Sequence, residues 1–130
     1  MKTKLMFVLF MLILFSGSAK AAPTTAASIK NFCSAFVANQ EDGSISTARC
    51  VWYISGWAEG TVGTLVETKG KIFMVQFAEN ITPGQIIRVF FKFVNEHPEL
   101  ENENGLVVVG MALINAKLMV FVPVDKREVQ

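Results

Sequence analysis

Reactive side chains are scarce in this sequence. Its 130 residues include one histidine, His97, and two cysteines, Cys33 and Cys50, against twelve Lys+Arg and eleven Asp+Glu. Zinc-type centres need several His or Cys ligands, and the scattered carboxylates lack calcium-loop spacing, so no metal and no cofactor is expected. Gly56, Gly60 and Gly63 are not followed by Lys-Ser/Thr, which excludes a phosphate-cradling loop. No catalytic constellation remains. His97 could activate a thiol only if Cys33 and Cys50 did not pair with each other. The near-balanced charge leaves no basic surface for phosphates, so nucleic acid is not an expected partner. Internal repeats and low-complexity linkers are absent, and the length permits one domain. The chain reads as a binder rather than an enzyme.

What the sequence has in abundance is apolar residues, 52% of the total, and they are unevenly placed. Lys2 and Lys4 precede Leu5–Phe15, eleven residues without a polar side chain, followed by Ser16-Gly17-Ser18 and the small-x-small run Ala19-Lys20-Ala21. This order is that of a secretory signal peptide. Eleven residues make about 16 Å of helix, too short for a bilayer core of about 30 Å. Residues 1–21 are therefore expected to direct export and to be removed after Ala21. The mature chain would run from Ala22, with a net charge of about −2 by counting side chains and no membrane association. In an oxidising compartment Cys33 and Cys50 have one possible pairing, and closing their loop of about sixteen residues adds roughly 3 kcal/mol. Two free buried thiols are the alternative.

The expected fold class is mainly α, a small four-helix domain over residues 28–124. A flexible tail, 22–27, would precede it, and a charged tail, 125–130, would follow. Ile29, Phe32, Cys33 and Phe36 fall on one helical face, with Ser28 as the cap and Asn39–Ser44 as the closing turn. A second helix is expected from Ser46 or Thr47 to about Thr68, where the glycine stripe Gly56–Gly60–Gly63 implies close approach of another backbone. A break near Gly60–Gly63 is the alternative. Trp52, Tyr53 and Trp57 are core aromatics or interface anchors. Thr82-Pro83-Gly84-Gln85 predicts a helix start with a capping box, and Pro98 a stop near Glu96 or His97. This helix is apolar on all but one narrow stripe, which predicts a central position or a dimer interface through Ile87, Phe90, Phe91 and Val94. Glu96–Asn104 is an acidic solvated loop, and a last helix is expected from Gly105 to about Leu118. Leu106–Val124 is interrupted by Gly110, Asn115, Lys117 and Pro123 and makes a poor membrane span. Asn80-Ile81-Thr82 fits the glycosylation acceptor pattern, which matters only in a eukaryotic secretory pathway. Lys71–Phe77 and Met119–Val124 are strand-like by residue type.

These residues resemble a known family. Cys50-Val51-Trp52-Tyr53-Ile54-Ser55-Gly56-Trp57-Ala58-Glu59-Gly60 is similar to the C-x-x-Y-[IV]-x-G-x-x-x-G signature of the Tai/Rap immunity proteins of type VI secretion. Thr82-Pro83-Gly84-Gln85, Val89, Lys92-Phe93 and His97-Pro98-Glu99 resemble that family's T-x-G-Q…V…K-[YF]…H-P-E segment. Ala112-Leu113 with Ala116 resembles its final helix. The resemblance spans about Ile29–Leu118 and gives Tyr53, Gly56, Gly60, Gln85 and Pro98 structural roles. It implies a small, mostly helical periplasmic protein, commonly a homodimer, that binds and occludes a peptidoglycan-cleaving amidase effector without catalysis of its own. Family members typically carry a second cysteine pair, whose places here fall near Gln76 and Met119. The expectation is that backbone pairing of 71–77 with 119–124, a short two-stranded element, replaces that bridge. Glu96, Glu99, Glu101 and Glu103 are the expected partner contacts, because a negatively charged projection can dock on a more basic surface. A non-catalytic structural protein and a small-ligand carrier are the competing classes.

Overall fold

A computed structural model describes residues 23–39 and 44–125. The expected export signal lies outside the described residues, as do 40–43 of the first turn and 126–130 of the expected charged tail. The elements in chain order are α1 (Ala26–Phe32), α2 (Ser34–Asn39), α3 (Ile45–Thr61), β1 (Leu65–Thr68), β2 (Lys71–Phe77), α4 (Pro83–Glu96), a 3-10 turn (Pro98–Leu100), α5 (Gly105–Asn115) and β3 (Met119–Val124). Among the described residues these make five α-helices and a three-stranded antiparallel sheet in the order β1-β2-β3. The expected four-helix domain with a two-stranded pairing is thus corrected to a mixed α/β architecture in which helix dominates.

Two local events account for the difference. The first expected helix divides at Cys33, which leaves helical geometry while its sulfur bonds Cys50 on α3. Its cap is Thr25 rather than Ser28. The Thr25 hydroxyl accepts from the Ser28 amide, the Ser28 hydroxyl accepts from the Thr25 amide, and together they close a capping box. The second event ends α3 at Thr61. Hydroxyls of Thr61 and Thr64 donate to the carbonyls of Trp57 and Gly60, and Gly63 takes φ +76°. The chain then turns into β1 instead of continuing to Thr68. Lys69 and Gly70, both at positive φ, form the two-residue turn into β2, a geometry whose twist suits a hairpin.

The expected glycine stripe does not mark a close approach. A Cβ added at Gly56 or Gly60 would meet nothing within 4 Å, so α3 shows bare backbone to solvent there. The close approach is at Gly105 instead, where an added Cβ would lie 2.7 Å from the Thr25 carbonyl oxygen and 2.5 Å from Ile29 Cδ1.

α4 starts at Pro83 behind Thr82, whose side chain accepts from the Gln85 amide while the Gln85 side chain accepts from the Thr82 amide. Ile86, Ile87, Phe90, Phe93 and Val94 of this helix are buried among Ile29, Ile54, Val108, Val109 and Leu113 from α1, α3 and α5. β2 pairs with β3 from Ile72↔Val124 to Phe77↔Met119, which sets Gln76 and Met119 on adjacent strands. Val75 and Met119 point into the core, and the Phe77 ring lies 6.0 Å from Trp57. No helix among the described residues is long and apolar enough to cross a membrane.

Candidate functional site

The acidic segment between α4 and α5 is part of the scaffold. A helix leaves its first backbone donors unpaired, and α1 fills two of them with this segment. The Ala26 amide donates to the Glu103 carbonyl (3.0 Å), and the Ala27 amide to the Glu101 carbonyl (2.8 Å). In return the Gly105 amide donates to the Thr24 carbonyl (2.9 Å), and Thr25 forms a bridge with Asn104. Asn104 then caps α5, its side-chain oxygen accepting from the amides of Leu106 and Val107. Residues Thr24–Ala27, expected within a flexible tail, are therefore the cap and first residues of α1, bonded to the acidic segment, and Ala26 is fully buried. The residue just before them is held as well, because the Tyr53 hydroxyl donates to the Pro23 carbonyl (3.0 Å) and burial raises the pKa of that phenol.

The four glutamates differ within this frame. Glu101 is half-buried and meets Lys30 of α1 at 3.1 Å, so it braces the segment. Glu99 is exposed and accepts from His97 Nδ1 at 3.0 Å. A backbone hydrogen bond at Glu99 itself, then the His97 ring, hold its carboxyl below the usual glutamate range. Glu103 is exposed, and Glu96 stands at the end of α4, 4.0 Å from Lys92. Glu96, Glu99 and Glu103 thus present exposed carboxylates from the end of α4, the 3-10 turn and the stretch bonded to α1. Pro98 opens the 3-10 turn that shapes this edge.

The residues expected at a dimer interface lie elsewhere. Ile87 and Phe90 are 1% exposed and Val94 0% within the single chain, so they have no surface to offer a second copy. Phe91 alone is partly exposed, with its ring edge-on to Phe90. The apolar content that suggested an outer face is satisfied by the protomer's own α1, α3 and α5.

Other apolar surfaces are open. Trp52 is 71% exposed on α3, in a stripe with Ile45, Arg49, Gly56 and Glu59. Beside this stripe lies a cavity of about 240 Å³ lined by Ser55, Ala58, Glu59, Val62, Phe77, Ile81, Pro83 and Ile86. On α5, Val107, Met111 and Ile114 form an exposed stripe at i, i+4, i+7. The sheet face turned away from the helices carries Leu65, Ile72, Met74, Val120, Val122 and Val124 together with Glu67 and Gln76. One signal of such a surface is present in the sequence. In Lys71–Phe77 both alternating sets of residues are apolar, which implies a strand covered on two sides. Among the described residues no group of His, Cys, Asp or Glu could hold a metal ion.

No curated protein and no solved structure matches the chain. The family model of the Rap1a immunity proteins matches residues 21–116. That span takes in the helices α1 to α5, the Cys33–Cys50 disulfide and the whole acidic segment; β3 lies beyond it. With most of its length matched, the chain belongs to the Rap1a immunity protein family.

Proposed function

We propose that this immunity protein works in the periplasm, where it binds and occludes a peptidoglycan-cleaving amidase effector delivered by type VI secretion. Family membership is the observation that carries the reading. The signal-like residues 1–21 and the Cys33–Cys50 disulfide support an oxidising compartment outside the cytoplasm. Inhibition is steric: the protein covers the effector's cleft and has no chemistry of its own to perform. Glu99 and Glu103, with Glu96 beside them, make the effector contact. The α1 hydrogen bonds to the Glu101 and Glu103 carbonyls, and the 3-10 turn at Pro98–Leu100, hold the segment's backbone before binding, so association does not have to order a loop.

Co-expression of the protein with cell-wall amidases, starting with any encoded beside its gene, both exported, tests the function through survival of the host cell. Wild-type protein is expected to protect. Failure to protect against any cell-wall amidase overturns the reading. Charge reversal tests the contact, because deleting the segment would also remove the clamp on α1. Glu99→Lys with Glu103→Lys should leave the fold intact and abolish protection; full protection by that variant removes the assignment.

A further inference from the structure

The cavity beside the α3 stripe joins an apolar wall to an unpaired charge. Phe77 at the end of β2, with Ile81 and Pro83 at the entry to α4, makes one side of it apolar. Ser55 and Glu59 of α3 are the only polar side chains in its lining, and at i, i+4 they stand one above the other. Among the described residues neither the Ser55 hydroxyl nor the Glu59 carboxylate has a partner.

No cation lines the cleft, and those on the surrounding elements are far off or engaged. Arg49 lies about 15 Å before Glu59 along α3, at 1.5 Å per residue. Arg88 of α4 sits over the Phe36 ring at 5.5 Å, and Lys71 is at the opposite end of β2 from Phe77. The connection from Phe77 to Ile81 adds a second exposed carboxylate, Glu79. The charge at this opening is therefore negative and uncompensated within the chain.

The surface next to the cleft suits a macromolecule rather than a free ion. Trp52 and Glu59 project from one side of α3, and Gly56 between them carries no side chain and has open space around it. A partner's main chain can come down onto bare helix there. The Trp52 ring, 71% exposed, then has an apolar surface to meet, and tryptophan is among the residues that concentrate binding energy in interfaces.

One side chain satisfies both halves of the cleft. The stem of an arginine covers apolar surface while its head stays polar, so it can lie along Phe77, Ile81 and Pro83. The guanidinium then donates to the Glu59 carboxylate and the Ser55 hydroxyl. A lysine ammonium fits less well, being more strongly hydrated and lacking the planar fork that matches a carboxylate. The acidic edge at Glu99 and Glu103 calls for basic groups too, so both surfaces suit a partner of the same charge.

We propose that the cleft between α3 and the start of α4 is a pocket for an arginine side chain of the effector, with Trp52 as the neighbouring anchor. The identity of the partner rests on the immunity reading and the chemistry of the occupant on the cleft, and two measurements separate them. In the first, isotope-labelled protein is titrated with n-butylguanidinium at fixed ionic strength and followed by amide NMR. Saturating shifts are expected at Ser55, Glu59, Val62 and Ile81, absent with the neutral n-butylurea and absent in Glu59→Gln of unchanged circular dichroism. No saturation at these amides, or shifts that Glu59→Gln leaves unaltered, overturns the pocket. In the second, affinity is measured by calorimetry for the amidase against which wild type protects. Glu59→Lys and, separately, Trp52→Ala should each weaken binding by about thirtyfold or more. Unchanged affinity in either variant overturns the proposal and leaves the immunity reading standing. If wild type binds no amidase, the immunity reading fails and the guanidinium titration by itself decides the pocket.

Discussion

Glycine shows how one residue type answers to opposite demands within a single chain. Gly105 opens α5 where Thr25 and Ile29 press on it, so a methyl group there collides with a backbone carbonyl that is itself part of the clamp. Gly105→Ala should cost about 1–3 kcal/mol in urea denaturation, the usual penalty for overpacking. Gly56 is mid-helix with open space around its Cα. Gly56→Ala should stabilise by about 0.5–1 kcal/mol in the same measurement, because the methyl group meets nothing and the unfolded chain loses freedom. If both substitutions destabilise alike, Gly56 lies against something besides solvent. From the sequence these glycines look equivalent, and the stripe containing Gly56 suggested the tighter contact. The distinction rests on which backbone comes near, and that is a tertiary matter.

At the scale of elements, legibility follows the range of the interactions that set each boundary. α4 is bounded by Thr82, Pro83, Gln85 and Pro98, all acting within a few residues, and its start could be read directly. Thr82→Ala removes the acceptor for the Gln85 amide and should cost about 1 kcal/mol by thermal or urea unfolding. An unchanged midpoint would show that the capping box is not held in solution. α1 and α3 were harder to bound. The cap of α1 works together with carbonyls from Glu101 and Glu103, more than seventy residues away. The end of α3 depends on Gly63 adopting a positive φ and on β1 finding β2 as a partner. Helical periodicity through Leu65 could not reveal either. Lys71–Phe77 and Met119–Val124 were recognisable as strands because β-branched and aromatic residues are concentrated there. β1, with Glu67 and Thr68 in a run of four, was not.

For the molecule as a whole, the disulfide and the acidic clamp do related work on a small core. Cys33–Cys50 ties the α1–α2 junction to α3 across a separation of 17 residues. Replacing both cysteines with alanine should lower unfolding free energy by about 3 kcal/mol, measured against wild type under non-reducing conditions. A loss below about 1 kcal/mol would mean that the α1–α3 contact holds without the bond. The clamp fixes the acidic edge from the other side, and it makes the segment's backbone structural even where its side chains are free. Glu101, paired with Lys30, braces the segment, whereas Glu99, bonded to His97, and Glu103 keep exposed side chains.

By itself the sequence determined the cysteine pair, the capped apolar α4 and the family motifs, and with them the class of function. These are local or compositional properties: short-range hydrogen bonds, residue type and spacing. Tertiary structure decided the rest. It placed Ile87, Phe90 and Val94 inside the protomer, Trp52 outside it, and the acidic segment against α1. It also joined three strands into one antiparallel sheet. Burial is a property of what surrounds a residue in space. An apolar side chain in sequence is equally suited to a core or an interface until the neighbours that fill the core are known.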